Sequence, residues 1–214
     1  MTKLLLTIHI LLIGLNSFSQ EDSISLIETN SSKRKYIAWI SPSNATHVYG
    51  LMFNFWPQID SDRYSSYPII YGAEINLNPI GLLVPFPLAV MSLDPNAHKA
   101  PIEDVDSIDF NTFKKVHGFQ IGLINMEPTI ISGLDINASG SFESKINGVT
   151  ISAVMNKQYI VNGLTFGIIG NHNTVCNGVQ IGIINSCRQL KGLQFGLWNK
   201  NQNRSLPIIN WNFK

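Results

Sequence analysis

Four acidic residues, Glu103, Asp104, Asp106 and Asp109, crowd into one short stretch of this 214-residue chain. Carboxylates at that density could hold Ca²⁺. The glycine of the sharp turn and the distal glutamate of a calcium loop are both missing, so the stretch reads as a solvated loop. His47, His98, His117 and His172 are scattered, with no HExxH and no cysteine at zinc spacing. Cys176 and Cys187 stand too far apart in sequence for a CxxC site. There is no GxSxG elbow and no GxxxxGK phosphate loop. No catalytic, cofactor-binding or metal-ligating residue is assigned, no cofactor is implied, and the chain reads as non-enzymatic.

Composition narrows the class further. Charged residues make up 14% of the chain, against about 25% in ordinary soluble domains. A net charge of +1 offers no basic face for nucleic acid. The hydrophobic fraction of 44% is that of a chain that folds. The length suits one large domain with an ample core.

The elements that must carry this composition begin after an N-terminal targeting segment. Lys3 is followed by an apolar run from Leu4 to Leu15 and a small-residue exit at Ser17 and Ser19. Those are the three parts of a secretory signal peptide, assigned to residues 1–20. The run is too short for a transmembrane helix. Removing Lys3 leaves a formally neutral mature chain. Residues 21–35 are polar and mostly patternless, and are read as a flexible mature N-terminus. Residues 36–214 form a single repeat domain whose first strand is expected at 36–41.

Six glycines, Gly118, Gly133, Gly148, Gly163, Gly178 and Gly192, are spaced 15, 15, 15, 15 and 14 residues apart. Degenerate copies surround Gly50 and Gly72. Within each unit the apolar residues alternate: Phe119, Ile121 and Leu123 share one parity, as do Val179, Ile181 and Ile183. A period of two, rich in β-branched and aromatic residues, is the mark of a strand. The opposite parity carries Gly118, Gln120 and Gly122. Each strand therefore has one greasy face and one small or uncharged polar face, whereas a soluble sheet normally sends charges to its wet side.

Two architectures accommodate such a repeat. The reading adopted from the sequence is all-β, an antiparallel meander closing into a membrane β-barrel of about 10 to 12 strands, its greasy face toward lipid. The alternative is a parallel β-solenoid of 15-residue rungs with asparagine stacked at a corner. The barrel predicts that Ile181→Arg harms assembly more than the inward Gln180→Arg. It also places Cys176 and Cys187 about 30 Å apart across one extended strand, beyond disulfide reach. In a solenoid the strand bends, and the two can come back together. The alternating end around Ile209, Trp211 and Phe213 reads as a closing strand. An irregular Pro-rich insertion at 79–115 breaks the rhythm. Pro79, Pro85, Pro87 and Pro95 exclude a central strand there, leaving an edge strand, a plug or a surface loop. Such a stretch is where a specific binding role would reside.

The segments GFQIGLIN, GVQIGIIN and GLQFGLWN, closed by RSLPIINWNF, resemble the surface repeat-containing proteins of Gram-negative bacteria. GAEINLNPIGLLVPFP at 72–87 is similar to the N-terminal half of that family. The resemblance covers nearly the whole mature chain, although Asn137 and Ser152 replace the second glycine in two units. It implies an exported outer-membrane or cell-surface repeat protein with no catalytic residues to carry over. The expected partners are outer-membrane lipid, the barrel-insertion machinery and an extracellular ligand of unknown kind. The expected role is structural, pore-like or ligand-binding; the alternative is a secreted solenoid that binds glycans or proteins.

Overall fold

The computed structural model describes residues 33–41, 45–55, 67–93, 105–142 and 144–214. The signal segment 1–20, residues 21–32, Trp56, Pro95, His98, Glu103 and Asp104 lie outside the described residues.

Among the described residues, eleven strands form one sheet: β1 (Arg34–Ser41), β2 (His47–Asn54), β3 (Ile69–Asn76), β4 (Lys114–Asn125), β5 (Thr129–Phe142), β6 (Lys145–Ser152), β7 (Met155–Lys157), β8 (Ile160–Gly167), β9 (Gly170–Ile181), β10 (Ile184–Lys200) and β11 (Ser205–Asn212). Strands β1 to β10 stack in parallel, and β11 alone turns back antiparallel on β10. The chain is a parallel β-solenoid, the alternative of the two sequence readings, and the antiparallel barrel is overturned. One rung shows the design. Lys145–Ser152 makes the long side, a two-residue turn follows, Met155–Lys157 makes the short side, and a second turn leads into Ile160.

Register explains the fifteen-residue period. Gly118 pairs with Gly133, Gly133 with Gly148, Gly148 with Gly163 and Gly163 with Gly178. All eight repeat glycines have φ between +126° and +151°, a region closed to side chains in practice. A Cβ on Gly163 would overlap the carbonyl oxygen of Gly148 on the rung before it. In the first rung the equivalent position is Ile37, with φ +77°. Among the described residues no earlier rung lies beneath Ile37, and its side chain projects into solvent, 85% exposed.

The interior is narrow. One apolar column runs through Val48, Ile70, Val116, Ile131, Ile146, Val161, Cys176 and Leu190, all buried. Beside it a polar column begins at Glu74 and Gln120 and ends at Gln194 and Asn210, equally buried. The sequence parity is thus preserved: the greasy face of each strand points outward and the polar face inward, but around a solenoid core rather than a barrel lumen.

The described first part of the Pro-rich insertion is helical. Helix α1 (Ile80–Leu83) and helix α2 (Pro85–Leu93) place Pro85 and Pro87 in a first turn, where a missing N–H costs nothing. Val84 and Ala89 pack on Ile124, Val154 and Met155, on the short side. The described residues of the insertion therefore form neither an edge strand nor a plug, and its last residues, Lys114 and Lys115, already belong to β4. Arg34 and Lys35 likewise belong to β1 rather than to a flexible N-terminus.

The cysteines show what the bend changes. Cys176 and Cys187 fall in one buried apolar cluster, both as free thiols. The separation expected across an extended strand does not hold, because the chain turns between them. Burial pushes the Cys187 thiol up, and the adjacent Cys176 adds to the shift.

Candidate docking face

The site begins with side chains that keep the rungs in register. At the corner between the two sides, Asn156 donates to the side-chain oxygen of Asn171 at 3.0 Å, Asn171 to Asn185 at 2.8 Å, and Asn185 to Asn199 at 2.8 Å. The same amides donate to the main-chain carbonyls of Phe166, Ile181 and Phe195. Each amide group thus uses one N–H on the ladder and one on the turn, which satisfies buried groups that would otherwise be costly. The recurrent Asn171, Asn185 and Asn199 of the sequence sit in this corner and not in solvated barrel turns. Inside the long side, Asn210 donates to Gln194 at 3.0 Å and Gln194 to Gln180 at 2.6 Å.

These ladders hold the long side in register, and two adjacent columns of its outer surface are apolar throughout. One column starts at Ala38, Leu51 and Ala73 and ends at Leu193 and Trp211. The next starts at Ile40, Phe53 and Ile75 and ends at Phe195 and Ile209. Every paired position of both columns, rung by rung, is Ala, Val, Leu, Ile, Phe or Trp. A third apolar set lines the rim as the strand ends, including Leu77, Ile168, Ile183 and Leu197. Phe119 is 55% exposed, Ile121 50% and Leu197 71%. A soluble surface seldom leaves so continuous a stripe uncovered.

The other border of the face is polar. Tyr36, Tyr49, Tyr71 and His117 form a stack with centroids 5.1–5.3 Å apart and planes within 17°. Their faces are turned toward one another, so the column presents ring edges, not the faces on which a sugar would lie; the outer face of Tyr36 is the exception. Further along, Asn177 donates to Asn162 and Asn162 to Asn147, each at 2.8 Å. This border is uncharged from Ser132 to Asn177.

A buried ion cluster was not anticipated from the sequence. Lys114 Nζ lies 2.7 Å from Glu74 Oε1 and also donates to Glu127. Asn54 donates to both carboxylates. Burial disfavours the Lys114 charge, yet Glu127 and Glu74 outweigh it and hold the ammonium above its ordinary range. Burial pushes the Glu74 carboxyl up, opposed by Lys114 and reinforced by Glu127. Asp135 has no such cation: burial raises it to about 6, against hydrogen bonds from Thr150 and Asn137. The signal was legible in principle, since Glu74 and Asp135 occupy the inward parity that Gln120 and Gln180 fill elsewhere. The three side chains are almost wholly buried, as in a core ion network.

The scattered residues remain scattered. His47 and His117 lie on outer columns, while His172 is buried beside Ser186 on the short side. Asp109 caps a short 3-10 turn by accepting from the Asn111 N–H, and Asp106 lies in the turn before it. Among the described residues no group of three His, Cys, Asp or Glu side chains could hold a metal ion. No helix of the described residues is long and apolar enough to cross a membrane. The fold and its outer stripe define a two-sided parallel β-solenoid with a continuous apolar face. Comparison with protein-family models, curated proteins and solved structures finds no match to this chain.

Proposed function

We propose that the protein is an exported, non-enzymatic β-solenoid that works as a binding or structural module through its outer apolar face. The observation that carries this reading is the run of apolar pairs from Ala38 and Ile40 to Trp211 and Ile209, uninterrupted by any charge. Such a surface gains free energy only when something covers it. Export rests on the N-terminal segment 1–20 and on the resemblance of the repeats to cell-surface proteins. The edge-on tyrosine stack gives a glycan little to lie on, which moves the weight toward a protein or other apolar partner.

The test is a photocrosslinking benzophenone side chain in place of Phe166, in cells that export the protein, with a second at Gln202 as control. Phe166 lies on the face, and Gln202 is an exposed residue away from it. A defined macromolecular adduct at Phe166 alone is the expected result. No adduct, or equal adducts at both positions, would remove the face from the function.

A further inference from the structure

The face reading leaves its occupant unnamed. We infer that the occupant is a second copy of this chain, packed face to face through the two outer apolar columns. The inference rests on the docking role of the face proposed above.

Size is the first argument. Rungs about 4.8 Å apart and residues about 3.3 Å apart make the columns and their rim roughly 45 Å by 18 Å, on the order of 800 Å² per copy. A stable specific interface needs about 800 Å² from each partner. The face supplies that amount from one flat surface, without rearrangement.

Anatomy is the second. Stable interfaces have an apolar, aromatic-rich centre stripped of charge and a polar rim. Here the centre carries Phe119, Phe166 and Ile151, and the rim carries the Asn147–Asn162–Asn177 ladder, uncharged over the middle rungs. An anionic lipid surface would call for an unbroken row of cations along that rim; the ladder column has none over the middle rungs, and the column outside it carries Lys115 and Lys145 only, separated by Ile130 and followed by Ile160 and Val175. Two flat sheets with apolar faces pack aligned, about 10 Å apart. A surface that meets its own copy about a two-fold axis closes at a dimer rather than growing into a fibre.

Among the described residues, the competing occupant within the chain is the helical insertion. Helices α1 and α2 do not fill that role, because they pack on Ile124, Val154 and Met155 of the short side and reach the face only at the rim beside Leu123.

The experiment is light scattering coupled to size exclusion on the mature chain without detergent, for the native sequence and for Val149→Arg/Ile151→Arg. These residues sit at the middle of the face and are partly exposed. The expected result is a native dimer and a variant at half that mass, with the same β-sheet circular dichroism. Phe195→Arg, three rungs away, serves as a second variant should the first fail to fold. A monomeric native chain overturns the inference, whether or not it floats with lipid vesicles, and so does a dimer that survives the substitutions. If the native chain is monomeric yet the benzophenone at Phe166 still captures a partner in cells, the face reading stands and only the second copy is lost.

Discussion

The side-chain amide of Asn171 donates to the side-chain oxygen of Asn185, 2.8 Å away on the next rung, and to the carbonyl of Ile181 at the turn between them. Asn171 also accepts from Asn156 and from Thr165. One buried amide thus ties three rungs and one turn together. An interior with one long apolar column and otherwise largely polar contents needs such links, because it has little apolar volume with which to hold its register.

Asn171→Ala should therefore destabilise the chain strongly. It strands the donor of Asn156, the acceptor of Asn185 and the turn carbonyl of Ile181, in a place closed to water. Leaving buried polar groups unpaired costs about 1–3 kcal/mol each, so a loss of roughly 3 kcal/mol or more is expected. Asn177→Ala removes the same chemistry from an exposed ladder and should cost less than about 1 kcal/mol. Urea unfolding of both variants measures the difference, and equal effects would contradict the corner's role.

The glycine column gives a sharper case. Gly163 has φ +141°, and a Cβ there would overlap the carbonyl of Gly148. Gly163→Ala should combine a strained backbone, about 1–3 kcal/mol, with a steric shift of the neighbouring rung. Ser132→Ala, on the adjacent outer column, should be nearly neutral. Thermal unfolding of the two variants gives the comparison, and a Gly163→Ala chain as stable as the native one would contradict the described register.

Alternation was legible in the residues, and so was the assignment of faces: Phe119 and Ile121 point out, Gln120 points in. What alternation does not contain is the direction of the neighbouring strand. A greasy outer face on strands of similar length satisfies a barrel and a solenoid equally. The discriminating feature was the identity of residues at a fixed offset. In an antiparallel meander successive strands run in opposite directions, and nothing requires the same residue at the same place in each. Parallel in-register stacking puts Gly148 directly on Gly133, so the next rung needs a glycine as well. The repeated Asn171, Asn185 and Asn199 follow the same logic, as side chains whose ladder bond needs another asparagine one rung away. The helices at 80–93 were hidden because prolines that forbid a strand also suit a helix's first turn. Glu74 and Asp135 do not stand out in the sequence, because a charged residue on the inward parity looks like a degenerate copy of glutamine.

Reversing the architecture reverses a substitution test. Gln180 is fully buried between rungs, while Ile181 lies on the outer face and is partly exposed. Gln180→Arg places an unpaired charge in the core, at a cost of several kcal/mol, and should prevent folding or lower the melting temperature severely. Ile181→Arg should leave the stability of a single chain within about 1 kcal/mol. The barrel demanded the opposite order. Circular dichroism melts in dilute buffer decide between them, and a more damaging Ile181→Arg would restore the barrel.

Asp135 should give the chain an unusual dependence on pH. Its carboxyl is fully enclosed, and burial raises it from 3.8 in the ordinary state to about 6 in the folded chain. Between those values the folded chain keeps a proton that the unfolded chain has released. By linkage, stability from this group is complete below about pH 4 and declines as pH rises through 6. A shift of this size corresponds to roughly 3 kcal/mol at neutral pH. Ordinary surface carboxylates paired with cations act in the opposite sense, so the contribution is best isolated by substitution. Asp135→Asn keeps the shape and an acceptor for Thr150 without the charge. The variant should gain stability relative to the native chain as pH rises from 4 to 7, with little difference at pH 4. Chemical unfolding at a series of pH values reads this directly. A difference that stays flat across the range would mean that Asp135 is no more buried in solution than an ordinary aspartate.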